Sequence, residues 1–154
     1  MTEHTFPGKL ALQQRVLPEY RVPFIEALAA ACSGGLSVFA GQPLLEESIA
    51  ASSALKVARY APARNWNIFP VRSPLYHCWQ SGLMHWLDEW QPDALIVEAN
   101  SRYPSTRLAI RWMHRRSRPV IGWGLGAPPY STSGPLSSLV TPWRKLERIT
   151  LLRS

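Results

Sequence analysis

Three groups of residues in this chain combine types and spacing that suit recognition of a polar ligand. Arg15, Tyr20 and Arg21 follow the run Leu10-Ala11-Leu12-Gln13-Gln14 and offer two guanidinium groups and a phenol to an anionic or hydroxyl-rich molecule. Glu98, Asn100 and Arg102 follow Ala94-Leu95-Ile96-Val97. A carboxylate and a carboxamide can hydrogen-bond sugar hydroxyls, and the carboxylate can act as a base toward one of them. Trp123, Gly124 and Gly126 follow Val120-Ile121-Gly122, where glycines would let a ligand approach the backbone closely.

Each group also has a plain structural reading. An arginine pair beside Glu19 suits a solvated loop, and polar residues at a strand end cap the next helix. A Gly122-x-Gly124-x-Gly126 run suits a tight turn. It is not the dinucleotide-binding fingerprint, because the spacing differs and Pro128-Pro129 follows where a helix should start. His77, His85 and His114 fall on predicted helices without metal-ligand spacing to one another or to Cys32 and Cys78, so neither a metal site nor any other cofactor is expected.

The elements that would position these residues are marked by apolar periodicity. Leu10–Gln14 and Leu36–Ala40 are strand candidates around a helix that opens at Pro23, with Phe24, Ala27, Leu28 and Ala31 at helical spacing and Gly34-Gly35 as its stop. Leu44–Leu55 reads as a helix with Glu46 and Glu47 in its first turn. Lys56–Tyr60 alternates as a third strand, and the proline-punctuated stretch Ala61–Pro74 reads as surface chain with a brief strand at Ile68-Phe69 or Val71. Trp79, Leu83, Trp86, Leu87 and Trp90 form an amphipathic stripe. Ala94–Val97, a helix from Pro104 carrying Leu108, Ala109, Trp112 and Met113 on one face, and Val120-Ile121 then make a βαβ unit. Leu139–Leu152 would form a last, basic helix after a small polar loop. The alternation argues for a three-layer, Rossmann-like α/β domain with a mainly parallel sheet. In such sheets ligands sit outside the carboxyl ends of the strands, so the three polar groups are expected on one rim.

Length and composition agree with one domain. The chain has 154 residues, 46% hydrophobic and 18% charged, with residues 1–8 expected to be a loose tail. No segment reaches the roughly 18 apolar residues of a membrane span, and the N-terminus lacks a signal-peptide pattern, so a cytoplasmic location is expected. The formal charge of +7 favours anionic partners without choosing among them. Arg107, Arg111, Arg115, Arg116 and Arg118, with Arg144, Lys145 and Arg148, suit a solvated helix face or a surface that touches anionic membrane at its inner side or nucleic acid. Nucleic acid is the less expected partner, since no helix-turn-helix, RNP-type or zinc motif is present.

Leu12 to Phe24, Gln91 to Asn100 and Pro119 to Gly126 together resemble the N-terminal half of bacterial glycosyltransferases of GT-B architecture, in the glycosyltransferase family 4-like superfamily. The likeness runs from about residue 9 to 150, and its most specific features are the Tyr20-Arg21-x-Pro23-Phe24 loop and the segments Gln91 to Asn100 and Pro119 to Gly126, taken together in that order. The resemblance implies a domain that binds a sugar or lipid-linked acceptor through Arg15, Tyr20, Arg21, Glu98, Asn100, Arg102, Trp123, Gly124 and Gly126, while a nucleotide-sugar donor is held by a second, C-terminal domain. It also implies that the chain is inactive alone and is half of a two-domain enzyme. Relatives often carry a histidine in the Trp-Gly-x-Gly turn where this chain has Leu125, so no general base is expected there. The competing expectation is a non-enzymatic basic Rossmann-like module that binds nucleic acid or an anionic surface.

Overall fold

The computed structural model describes residues 5–124. Strands β1 (Leu10–Val16), β2 (Leu36–Gly41), β3 (Arg59–Pro62), β6 (Ala94–Glu98) and β7 (Val120–Trp123) form a five-stranded sheet in the order β3-β2-β1-β6-β7. Every neighbouring pair in it is parallel. Helices α1 (Val22–Ala30), α2 (Leu83–Trp90) and α3 (Pro104–His114) cover its two faces, and an antiparallel ribbon of β4 (Arg64–Ile68) and β5 (His77–Ser81) stands apart from it. This is the expected three-layer, Rossmann-like α/β architecture.

Alternation along the strands sorts the core into two layers. Leu10, Leu12, Leu36 and Val38 pack with Ile25 and Ala29 of α1. On the opposite face, Ala11, Phe39, Leu95 and Val97 pack with Leu83, Trp86 and Leu87 of α2 and Ala109, Trp112 and Met113 of α3. Trp86 stacks on Phe39 with centroids 5.0 Å apart and donates to Ser37 Oγ at 2.9 Å, so its one polar atom is satisfied in the core.

Several expectations are corrected. The α1 core face is Ile25 and Ala29 with Leu28 half-buried, and Phe24 and Ala27 are exposed. The helix is apolar nearly all round, so two stripes one residue apart compete, and only packing selects one. The stretch Leu44–Leu55 is not a helix. It makes one 3-10 turn at Leu45–Glu47 and then stops at Ser48, whose φ of 47° is left-handed. The third strand lies at Arg59–Pro62, a few residues after the expected Lys56–Tyr60. Trp79 and His77 belong to β5, not to a helix, because Gly82 with φ 88° breaks the chain before α2 begins. Phe6, within the expected loose tail, is tied to the body by Phe6 N–H to Ala31 O at 2.8 Å and Ser33 N–H to Phe6 O at 3.0 Å. The expected basic helix Leu139–Leu152 lies outside the described residues.

Candidate functional site

The sheet order reverses between β1 and β6: the chain builds outward from β1 to β2 and β3, then returns to lay β6 on the other side of β1. Such a reversal opens a crevice at the carboxyl ends of the two strands. Here Arg15 and Glu98 flank it. The backbone N–H of Arg15 donates to Glu98 Oε2 at 2.8 Å, so a side-chain carboxylate continues the strand pairing where the β1 and β6 backbones part. Alternation places Gln14, Glu98 and Trp123 on the α1 face of the sheet, in a row across β1, β6 and β7. Gln14 is buried, and its Oε1 has no hydrogen-bond partner among the described residues.

Above this row, the connection from β1 to α1 supplies an open aromatic and guanidinium surface. Arg21 lies 4.9 Å from the Trp123 ring centroid and 5.6 Å from that of Tyr20. Phe24 meets Trp123 at 5.4 Å with tilted rings. Tyr20 is 75% exposed and Phe24 55%, so their faces are available to a ligand. Tyr20 also lines an open cleft of about 460 Å³ with Pro18, Glu19, Ser48, Ile49 and Ala50. The short α1 start explains the arrangement: Pro23 in its first turn fixes where the helix begins, and the 3-10 turn Glu19–Arg21 presents consecutive side chains outward.

Of the other residues proposed from sequence, Arg15 and Asn100 are engaged within the protein through their side chains and Arg102 through its backbone. Arg15 and Val16 complete β1 and are buried, not part of the loop that leaves it. The Arg15 guanidinium is paired with both carboxylate oxygens of Glu47, and Glu47 Oε2 also accepts the Leu44 N–H at 2.7 Å. Burial acts against both charges. For Arg15 burial is the largest single influence, but the bond to Glu47 together with the fields of Tyr103, Tyr76 and Glu47 outweighs it and holds the guanidinium even more firmly protonated than usual. For Glu47 burial is again the largest single influence, but the bonds from Arg15 and Leu44 and the Arg15 charge together outweigh it and keep its pKa below the ordinary carboxylate range. Asn100 Oδ1 accepts the Arg102 N–H at 3.0 Å, an Asx turn that shapes the approach to α3. Arg102 receives the Cys78 N–H on its backbone oxygen at 2.9 Å, which ties this loop to the ribbon. Gly124 lies against Ala99, where a Cβ would come within 3.3 Å of the Ala99 methyl. Gly126 lies outside the described residues.

A buried polar network escaped the sequence reading. Gln80 of β5 bonds to Gln13, donates to Gln14 O at 3.0 Å and donates to Asn65 Oδ1 at 3.0 Å. Asn65 Nδ2 in turn donates to Arg15 O at 2.8 Å and Gln42 O at 3.2 Å. This network docks the ribbon onto the carboxyl end of β1. Gly41 is required beneath it, because a Cβ there would collide with the Asn65 carboxamide. Beside it Tyr76, Cys78 and Tyr103 form a small buried cluster, in which burial foremost raises all three pKa values, that of Tyr76 to about 12. The alternation Arg64-Asn65-Trp66-Asn67-Ile68 was the available signal, since asparagines on one side of a strand need polar partners.

Compared with protein-family models, curated proteins and solved structures, the chain matches none of them.

Proposed function

We propose that this chain is the acceptor-side domain of a glycosyltransferase, in which a sugar passes from a nucleotide-sugar donor held by a second domain to a sugar or lipid-linked acceptor held here. The observation that carries the reading is the open surface of Tyr20, Arg21, Phe24 and Trp123 beside Glu98, at the carboxyl end of a parallel sheet. A sugar ring has apolar C–H faces that stack on aromatic rings and hydroxyl groups that bond to guanidinium, carboxylate and carboxamide. This surface supplies the rings and the guanidinium, and Glu98 supplies a carboxylate of which one oxygen already accepts the Arg15 N–H. Donor phosphates are better served elsewhere, because the turn after β1 contains no glycine to cradle them.

The test is calorimetric titration of the full chain with a panel of free sugars, glycosides and soluble lipid-linked sugar analogues. A saturable ligand is expected, and Arg21→Ala and Trp123→Ala should each weaken it by about tenfold. Binding unchanged by both substitutions, or no saccharide bound at all, would remove the proposal. Clear nucleotide release from a donor panel by the chain alone would show that it carries its own donor site. An oligonucleotide titrated in parallel and bound in preference to every saccharide would favour the nucleic-acid module instead.

A further inference from the structure

The ribbon of β4 and β5 has two unlike faces. Its inner residues Asn65, Asn67, Cys78 and Gln80 are buried or half-buried, but its outer residues Arg64, Trp66, Ile68, His77 and Trp79 are exposed. Trp66 and Trp79 are directly opposite each other across the strands, as are Ile68 and His77. The turn that joins the strands adds Phe69 and Leu75, so five large apolar side chains, between 39% (Trp79) and 60% (Leu75) exposed, share one projection. Phe69 is held at φ 64°, a left-handed conformation that a bulky residue adopts at a cost and that Asn, Asp or Gly adopts more readily. Trp79 also lines a cleft of about 230 Å³ with Leu83, Met84 and Leu108, so the apolar surface continues onto α2 and α3.

The charge carried by this segment has one sign. From Ser48 to Leu87 the sequence contains no aspartate or glutamate, and Arg64 and Arg72 are exposed on the ribbon itself. Arg64 lies 4.1 Å from the Trp66 ring centroid, a pairing that keeps a cation at the edge of an apolar face. Exposed tryptophans with flanking arginines suit the boundary between lipid headgroups and acyl chains: the ring body is apolar, the Trp66 N–H is satisfied by Ser81 Oγ at 3.2 Å, and the cations meet anionic headgroups. Ile68 and Leu75 favour hydrocarbon over a nucleic-acid strand as the occupant, because an aliphatic side chain has no π-face on which a base can stack. No helix among the described residues is long and apolar enough to cross a membrane, so contact by this route is peripheral.

We infer that the outer face and tip of the β4–β5 ribbon dock this domain on an anionic lipid bilayer, with Phe69 and Leu75 leading and Arg64 and Arg72 at headgroup level. The surface is separate from the sugar site proposed above and stands or falls independently of it. Cosedimentation of the full chain with phosphatidylcholine vesicles, with and without about a third phosphatidylglycerol, tests it. The protein should pellet with the anionic vesicles, less so at high salt, with a blue shift of tryptophan emission. Phe69→Asp combined with Leu75→Asp should weaken partition by about tenfold or more, with saccharide binding at the rim unchanged. Trp66→Gln combined with Ile68→Asn reads the same face through other positions and should act in the same direction. Absence of the parent from the anionic pellet would overturn the inference, as would ribbon variants that partition like the parent. It would also fail if the parent bound a single-stranded oligonucleotide instead of vesicles, or formed a dimer that Phe69→Asp dissociates while ignoring lipid.

Discussion

Arg15 and Arg21 flank the same connection between β1 and α1, yet the fold uses them in opposite ways. Arg15 is buried against Glu47, its backbone committed to Glu98 and Asn65, whereas Arg21 lies over Trp123 beside exposed Tyr20. A buried guanidinium must be fully paired, because an unmatched charge in the interior costs several kcal/mol. A surface guanidinium over a ring gains about 0.5–1 kcal/mol and keeps its donors for a ligand. The same residue type is therefore part of the framework at one position and available for binding a few residues later. Substitutions that break the two arrangements should separate them sharply.

The largest effect is expected at Glu47. Glu47→Ala leaves the Arg15 charge buried without its partner and should cost about 3–5 kcal/mol, readable as a fall in the denaturation midpoint. Its pH dependence has a definite sign. Glu47 has a lowered pKa in the folded state, so its contribution is complete above the unfolded carboxyl value of about 4.3 and is lost as pH falls through the lower folded value. Glu47→Gln should flatten that acid slope; a slope identical to the parent's would show that the pair contributes nothing.

Next comes Gln80, the hub of the network that docks the ribbon. Gln80→Ala should cost about 1–3 kcal/mol through the unpaired groups it leaves on Gln13, Gln14 and Asn65. Hydrogen exchange should then rise at β4 and β5 before it rises in β1, and uniform loss of protection would mean that the ribbon is not separately anchored.

Asn100→Ala should have a smaller effect, about 0.5–1.5 kcal/mol, because it removes one turn hydrogen bond to Arg102. If thermal melting does not move and saccharide affinity falls, Asn100 belongs with the ligand and not with the loop. The smallest effect is expected for Arg21, where a double-mutant cycle with Trp123 should give a coupling of about 0.5–1 kcal/mol in stability. A coupling comparable to the Glu47 effect would place Arg21 in the framework as well.

The sequence by itself determined the layers: apolar runs at Leu10–Gln14, Leu36–Ala40, Ala94–Val97 and Val120-Ile121 are strands, and the stripes around Trp86 and Trp112 are helices that cover them. Local periodicity carries that information, because a residue buried on a helix or strand recurs with the element's own repeat. Tertiary structure decided which polar residues remain available. Arg15, Asn100 and Arg21 look alike as polar residues after or near a strand end, but their partners Glu47, Arg102 and Trp123 come from different segments or from a turn geometry. It also decided that Leu44–Leu55 gives up its helix, since Glu47 is held by Arg15 and by Leu44, and that Trp79 leaves the core stripe for the outside of a ribbon. Pairing between segments distant in sequence has no local period, and so the contacts that separate a framework arginine from an available one form only when the sheet brings those segments together.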